Sequence, residues 1–278
     1  MDLKYIIGLE NEIKDIVEKY TMFFVKIYED CNHILKDLKK DSKMIEEGLL
    51  IAATDEMIEM GNALGIATIA YAKPEFPNQS YRGVDMIVEG FDEVDADFLE
   101  KMYQRHHRIP WKILETNRCV VRELSLDDID GLFELYADDG MDDYTEALYS
   151  YEEEKEFQRA YIENMYRYFG YGMWLVFEKA TGALIGRAGL EHREYNGVVE
   201  LELGYLIGKR YQGKGYATEV CNGILAYAEE NAGFDQINTL IQDGNEVSIA
   251  LSKKLGFESK ETYEMDGKIM HRFIKKFA

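Results

Sequence analysis

The chain has 278 residues, of which 46% are hydrophobic and 13% aromatic, so it can bury one large core or two smaller ones. Fifty-three acidic against 32 basic residues give a formal net charge of -21, which opposes contact with nucleic acid or an anionic membrane surface. Three scattered cysteines and five histidines have no metal-ligand spacing, so we expect no metal site and a reduced, cytoplasmic protein.

The N-terminal part of the chain alternates helical and strand patterns. Its first residues mix acidic with apolar side chains, and no apolar run approaches about eighteen residues, so we expect neither an export signal nor a membrane span. Apolar positions at helical spacing predict one or two helices: Ile6, Leu9, Ile13, Ile16 and Val17. A strand is predicted near 23–27, followed by strands at 49–53, 66–70 and 83–89 and helices at 55–64 and 94–105.

This order, with Thr54 at the carboxyl end of a strand, resembles the later half of a haloacid-dehalogenase-like Rossmannoid domain. The resemblance implies a smaller, Rossmann-like α/β domain over residues 1–115. The early Asp-x-Asp that supplies the nucleophile and the magnesium ligand in that family has no counterpart here. We therefore expect a degenerate relative used for contact or ligand sensing, or a generic small α/β domain, and not a phosphatase.

A linker is predicted at 105–117, where Pro110 prevents a continuous helix, and the domain boundary is placed near residue 115. The second domain, 116–278, begins with a predicted strand at 119–124 and helices at 127–136 and 151–169. Between these helices lies a loop with four acidic candidates for meeting an amine: Asp138, Asp139, Asp142 and Asp143. Strands at 173–178 and 183–192 follow, then turns at Asn196-Gly197 and Asp266-Gly267 that predict two further hairpins.

A strand at 198–207, a glycine-rich turn and a helix at 216–231 form the centre of this second domain. Gly204 interrupts the strand where a β-bulge would fit. After Gln212, the two glycines Gly213 and Gly215 have no side chains that would cover the backbone N–H groups of the turn. The positive end of the helix points at this turn. The pattern predicts a phosphate-bearing ligand.

Three kinds of phosphate loop compete for this turn. A P-loop needs Ser or Thr where Gly215 stands, and a dinucleotide fingerprint beginning at Gly213 lacks its third glycine and its doubly wound sheet. The third kind is Gln-x-x-Gly-x-Ala from Gln212 to Ala217. It follows Leu203-Gly-Tyr and precedes Asn245 and Leu255-Gly-Phe.

On these residues the chain from about Arg118 onward resembles the GNAT superfamily of acyl-CoA-dependent N-acetyltransferases, in its RimJ/RimL-like branch. The resemblance implies a mixed, mostly antiparallel sheet with a splayed central strand, acetyl-CoA as co-substrate, and a small-molecule amine or a peptide N-terminus as acceptor. It also implies two sets of residues that contact the cofactor. The phosphate loop comprises Gln212, Gly213, Lys214, Gly215, Tyr216, Ala217 and Thr218; the pantetheine and thioester contacts comprise Leu206, Ile207, Asn245 and Ser248.

The resemblance also assigns the chemistry. Glu202 matches a position that many relatives use as general base, with Glu200 as substitute, and a backbone N–H near Leu206 or Ile207 would stabilise the oxyanion. Relatives often protonate the thiolate with a Tyr, where this chain has Ser252. An N-acetyltransferase is therefore the first hypothesis and a non-catalytic acyl-CoA-binding regulatory module the second. A two-domain enzyme with phosphatase activity in its N-terminal half is the third.

Overall fold

The computed structural model describes every residue except 1, 10–12, 14–18, 75–77, 196, 232, 266 and 278, together with the side chain of Tyr195. The chain divides into two compact units, residues 1–111 and 112–278. The predictions at Ile16, Val17, Asn196 and Asp266 lie outside the described residues. Strand Lys112–Glu115 pairs with the strand that follows it, so the linker predicted at 105–117 is wrong for these four residues.

The first unit is a parallel sheet with helices. Its strands are β1 (Tyr5–Leu9), β2 (Phe24–Tyr28), β3 (Gly48–Ala52), β4 (Ala67–Tyr71) and β5 (Met86–Val88). Its described helices are α1 (Cys31–Lys40), α2 (Ser42–Glu46), α3 (Asp55–Leu64) and α4 (Ala96–His106). The strand order β2-β1-β3-β4-β5, with all neighbours parallel, is a doubly wound order. The smaller α/β domain expected from the sequence is confirmed; its resemblance to a dehalogenase-like domain stays a prediction.

Local sequence explains why α3 was predicted correctly and β1 was not. The Thr54 hydroxyl accepts a hydrogen bond from the backbone N–H of Met57 at 3.3 Å and caps α3, which ends at Gly65 with φ 66°. In β1, Ile6 and Ile7 are both fully buried because a central parallel strand is covered on both faces. Such a continuous apolar run has no period of two, so its spacing suggested a helix.

The second unit is built on an eight-stranded sheet in the order β12-β13-β11-β10-β9-β8-β7-β6. Its strands are β6 (Lys112–Glu115), β7 (Cys119–Arg122), β8 (Met173–Glu178), β9 (Leu184–Tyr195), β10 (Val198–Ile207), β11 (Gln236–Gln242), β12 (Glu258–Met265) and β13 (Lys268–Lys276). The β10–β11 pair is parallel, and every other neighbouring pair is antiparallel. This confirms the predicted mixed, mostly antiparallel sheet.

The helices of this unit follow the predicted order. They are α5 (Ile129–Tyr136), α6 (Tyr151–Tyr161), α7 (Tyr216–Asn231) and α8 (Glu246–Lys254). The chain continues from α6 through a π-helical segment, Ile162–Tyr166, and one further helical turn. Helix α7 buries Val220, Cys221 and Ile224 against the sheet, and each fully buried aliphatic side chain contributes about 1.5–3 kcal/mol.

The central strand β10 has two different edges. It pairs with β9 over ten residue pairs without any register shift, so the bulge predicted at Gly204 is wrong. It pairs with β11 only at Leu201 with Ile237 and at Glu202 with Asn238. The strands then diverge, which confirms the predicted splay. Gly204 packs closely against Met173 instead, because a Cβ there would lie 3.0 Å from the Met173 sulfur.

None of the helices within the described ranges combines the length and apolar character that a bilayer crossing requires. Cys119 and Cys221 are buried thiols, and Cys31 is half-buried.

Candidate active site

The glycine-rich turn lies at the open end of the splay between β10 and β11. A short 3₁₀ turn, Lys209–Tyr211, leads into it, and α7 begins directly after it. Gly213 and Gly215 have φ values of 71° and 83°, in the region that only glycine enters without strain. A Cβ on Gly213 would meet no atom within 4 Å, and one on Gly215 only the Arg118 Nη2 at 3.6 Å. The backbone of the turn is therefore open to an approaching anion, at the positive end of a helix of 16 residues.

Several side chains hold this turn in place. The Gln212 Nε2 donates to the Ile207 carbonyl at 2.8 Å, and the Arg118 Nη1 donates to the Lys214 carbonyl at 3.0 Å. Arg118 also stacks 4.1 Å above the Tyr216 ring. The Tyr216 hydroxyl donates to Glu178, and this hydrogen bond holds the pKa of the Glu178 carboxyl below its usual value. The side chains of Gln212 and Tyr216 thus position the turn, while its backbone remains the anion-facing surface.

Cations cluster here although the whole chain is strongly acidic. Lys209, Arg210 and Lys214 lie within six consecutive residues, and Arg210 is 83% exposed. The Lys254 Nζ lies 3.4 Å from the hydroxyl of Thr218 in the first turns of α7. This local excess of positive charge suits a ligand with several phosphates.

The hydrogen bonds of β10 show which of its backbone groups face the opening. The carbonyls of Leu201 and Leu203 accept from the Asn238 Nδ2 at 2.7 Å and the Thr239 Oγ1 at 3.1 Å, both from β11. Because a residue's N–H and C=O point to the same edge of a strand, alternate residues through Tyr205 and Ile207 face β11. The intervening residue Leu206 faces β9. Of the two oxyanion donors suggested by the sequence, only Ile207 therefore directs its N–H into the opening.

The two predicted carboxylates, Glu200 and Glu202, lie on the same face of the sheet. Glu202 lies directly opposite Glu191 of β9, and its carboxylate, 12% exposed, forms an ion pair with the Arg193 Nε at 2.9 Å. Glu200 accepts hydrogen bonds from Arg272, from the Gln236 Nε2 at 3.2 Å and from the Asn238 Nδ2 at 3.3 Å. These contacts indicate a structural role for Glu200 and leave Glu202 as the better candidate for a base.

Replacing Glu200 by alanine is expected to lower the free energy of unfolding by about 2–3 kcal/mol. Arg272 is only 7% exposed, and removing one partner of a nearly buried ion pair leaves an uncompensated charge. The Arg272 Nη1 keeps its contact with Glu261 at 2.6 Å, which limits the loss. Urea unfolding monitored by circular dichroism measures it; an unchanged midpoint would contradict the structural role.

Helix α8 borders the opening on its other side. Asn245 caps the helix by accepting from the backbone N–H of Ser248 at 3.2 Å. Ser252 is buried, and its hydroxyl donates to the Ile249 carbonyl at 2.9 Å. The Tyr205 hydroxyl reaches across the splay to the Ser248 carbonyl at 3.4 Å, and burial raises its pKa to about 12. Sequence reasoning missed Tyr205, although strand alternation from Leu203 places it on the α8 side.

The acidic loop between α5 and α6 contacts the segments that follow the two diverging strands, β10 and β11. Asp138 lies 3.8 Å from the Arg210 Nη2, beside an open groove of about 580 Å³. The Tyr144 hydroxyl donates to the Gly244 carbonyl at 3.2 Å, in the turn before α8. The loop is therefore close to the opening, as the sequence suggested, but Asp138 already has a cationic partner within the protein.

These features match a known family. A family model described as an acetyltransferase (GNAT) domain matches residues 118–258, about half of the chain. The chain belongs to the GNAT acetyltransferase family. Among curated relatives of this GNAT protein, the uncharacterized protein YkkB of Bacillus subtilis (strain 168) is 30% identical over 94 residues, which cover 34% of this chain and 55% of YkkB. The chain thus spans about half the length of YkkB. The uncharacterized N-acetyltransferase YoaA of the same organism is 26% identical over 155 residues, 53% of this chain and 84% of YoaA.

Solved structures share the fold of the GNAT domain. A GNAT-family acetyltransferase from Bordetella pertussis, itself assigned only provisionally, aligns with a TM-score of 0.50 and 22% identity, covering 58% of this chain and 98% of its own. RimL, a ribosomal L7/L12 alpha-N-protein acetyltransferase solved in complex with Coenzyme A, aligns with a TM-score of 0.52 and 14% identity, covering 60% and 98%. At these identities the likeness shows the fold alone.

Proposed function

We propose that the GNAT domain transfers the acetyl group of acetyl-CoA to a primary amine by direct attack, without a covalent enzyme intermediate. The observation that carries the proposal is the divergence of β10 from β11, which leaves the backbone of Tyr205 and the Ile207 N–H without a β11 partner, beside an open, cationic glycine turn; the Ile207 carbonyl accepts from the Gln212 side chain. The RimL structure with Coenzyme A supports this use of the fold. We propose a cytoplasmic location, which the free thiols of Cys119 and Cys221 support.

The residues present fit acetyl-CoA. The turn from Gln212 to Thr218 would hold the pyrophosphate with its backbone N–H groups, and the unpaired edge of β10 would hydrogen-bond the pantetheine amides. Asn245 and Ser248 stand at the facing helix end, where they would contact the same arm. Acetyl-CoA supplies an activated thioester whose carbonyl accepts attack by a free amine.

The amine must lose a proton before it attacks, because a primary amine with a pKa near 10 is mostly protonated at neutral pH. Glu202 would take that proton. Its present partner Arg193 is 41% exposed, so a cationic acceptor can replace it with little loss of packing. The Ile207 N–H would stabilise the oxyanion of the tetrahedral intermediate. The sequence offered Ser252 or Ser248 as hydrogen-bond donors to the departing sulfur, with unassisted departure as the alternative. The Ser252 hydroxyl is engaged within α8, and we assign the role of thiolate acid to Tyr205.

Replacing Tyr205 by phenylalanine is expected to lower kcat about 10-fold and to leave the Kd for acetyl-CoA unchanged. The ring, which supplies the packing, is kept, while the hydrogen bond to the departing sulfur, worth about 1–1.5 kcal/mol, is lost. Steady-state kinetics of CoA release together with calorimetry measures both values. Ser252→Ala is the matched control and should keep kcat; the opposite ranking would return the role to Ser252.

A non-catalytic acyl-CoA-binding module remains the second candidate, favoured by the engagement of Ser252. Turnover decides between the two. Incubation of the protein with acetyl-CoA and a panel of amines, amino acids and peptides, followed by mass spectrometry, is expected to give an acetylated product at rates above the spontaneous reaction. Tight binding of acetyl-CoA with no acetylated product across the panel would favour the regulatory module.

A further inference from the structure

Arg187 is an arginine within the GNAT domain, on the strand that pairs with β10 on the side away from the splay. It lies on β9 directly opposite Leu206 of β10. Strand alternation places it on the same sheet face as Glu191 and Glu202. Its guanidinium is surrounded by protein, yet the residue keeps accessible surface and is not fully buried. Part of the residue is therefore within reach of solvent.

The side chains that surround the Arg187 guanidinium are tyrosines. Tyr136, Tyr161 and Tyr166 lie around its guanidinium, and Tyr136 hydrogen-bonds to it. Its Nε is buried without a hydrogen-bond partner, and within the described part of the chain no carboxylate forms an ion pair with it. Arginine is always protonated in proteins, and an enclosed cation without a counter-charge is costly. Such a cost is recovered when a bound anion supplies the missing charge.

The tyrosines cannot supply that charge themselves. The Tyr161 hydroxyl accepts from the Met173 N–H at 2.8 Å and donates to the Glu191 Oε1 at 3.1 Å, and burial raises its pKa, so it stays neutral. The Tyr166 hydroxyl donates to the Met173 carbonyl at 2.5 Å. Tyr161 is the last residue of α6, and Tyr166 is the last residue of the π-helical segment that follows it, a feature that is frequent at functional sites. These tyrosines are therefore neutral and held in place around the Arg187 guanidinium, which has no ion-pair partner among the described residues.

The sheet face between Arg187 and Glu191 has a cation at one end and a carboxylate at the other. Arg187 and Glu191 are four residues apart on β9, so their Cα atoms are separated by about 13 Å. Between them Gly189 lies opposite Gly204, and Met173 covers this part of the sheet face: a Cβ on Gly204 would lie 3.0 Å from the Met173 sulfur, and one on Gly189 would lie 2.8 Å from the Met173 Cα. Glu191 lies opposite Glu202, where Arg193 pairs with Glu202 and the Tyr161 hydroxyl donates to Glu191. A cationic acceptor amine would take the place of the half-exposed Arg193 beside these two carboxylates, while Arg187 lies at the other end of the same sheet face.

We propose that Arg187 binds the carboxylate of a zwitterionic acceptor, so that the amine to be acetylated lies toward Glu191 and Glu202 and the acceptor is a free amino acid. A single unpaired cation matches one carboxylate better than a phosphate dianion. The inference rests on the proposed acetyl transfer and names the substrate class for that site. It distinguishes a free amino acid from a protein N-terminus, whose first residue carries an amide in place of the carboxylate.

The test compares matched acceptors with saturating acetyl-CoA. Each amino acid of a panel with α-, β- and longer amine-to-carboxylate spacing is assayed beside its amide and its decarboxylated amine. At least one amino acid should exceed both analogues in kcat/KM by about 30-fold, the value of a charge-assisted hydrogen bond of about 2 kcal/mol. Equal use of acids, amides and amines would overturn the carboxylate site while leaving the acetyltransferase intact.

The variant Arg187→Met keeps the length of the side chain and removes its charge. It should raise KM for the preferred amino acid about 30-fold and leave kcat/KM for the decarboxylated amine within about twofold, with Arg187→Lys intermediate. An equal loss for every acceptor would mean a general structural role and overturn the proposal. If Arg187→Met fails to fold, the wild-type analogue series alone decides.

Calorimetric binding of the same panel to the CoA-loaded protein is a readout that does not depend on turnover. Binding that requires the carboxylate, without any acetyl transfer, would overturn the proposed function and keep the Arg187 site. Binding that is indifferent to the carboxylate would overturn the site.

Discussion

Replacing Gly215 by valine is expected to weaken acetyl-CoA binding at least about 100-fold. The residue has φ 83°, and its Cβ position lies in open space apart from the Arg118 Nη2 at 3.6 Å. A branched side chain there would occupy the position at which the pyrophosphate binds. Two or three hydrogen bonds from backbone N–H groups to a charged oxygen would be lost, at about 1.5 kcal/mol or more each. Equilibrium dialysis with labelled acetyl-CoA measures the change.

The matched control for this variant is Gly65→Val at the end of α3, in the first unit. Gly65 has φ 66° and no atom within 4 Å of its Cβ position, so valine strains the backbone similarly but outside the GNAT domain. The control should lose stability and retain affinity. Wild-type affinity in Gly215→Val, or equal loss of affinity in both variants, would overturn the assignment of the loop.

Replacing Glu202 by glutamine is expected to lower kcat about 100-fold and to leave the Kd for acetyl-CoA nearly unchanged. The substitution keeps the size of the side chain and most of its hydrogen bonding but removes its ability to accept a proton, an effect of about 100-fold or more in general base catalysis. Steady-state kinetics over a range of pH, with calorimetry for the Kd, separates chemistry from binding.

Glu200→Gln serves as the comparison because Glu200 lies two residues earlier on the same face of β10. Its carboxylate is engaged by Arg272, Gln236 and Asn238, so its replacement should act on stability more than on kcat. An unchanged kcat in Glu202→Gln would move the base elsewhere. A large loss of kcat in Glu200→Gln at full stability would make Glu200 that base.

Elements with strong local signals were predictable from the sequence. The strand at 198–207 and the helix at 216–231 have the predicted bounds, because alternation in the strand and a core stripe in the helix are local patterns. The glycine turn was also predictable, since a left-handed backbone needs glycine at Gly213 and Gly215. The splay followed from the family resemblance and not from any local pattern.

Features set by distant residues were not predictable. β6 was assigned to a linker because its four residues show no clear alternation, and only its pairing with β7 makes it a strand. The role of Glu200 depends on Arg272, 72 residues later. No sequence pattern indicated a role for Arg187, because the tyrosines around it come from two helices and form no motif in the sequence. Such arrangements arise from tertiary contacts that overrule local preference.

The measurement that tests the account most directly is a calorimetric titration of the purified protein with acetyl-CoA and, separately, with CoA. It requires no knowledge of the acceptor. We expect binding of one molecule per chain with a micromolar Kd, about -8 kcal/mol. No detectable heat at a hundred times that concentration would contradict a cofactor site in the splay.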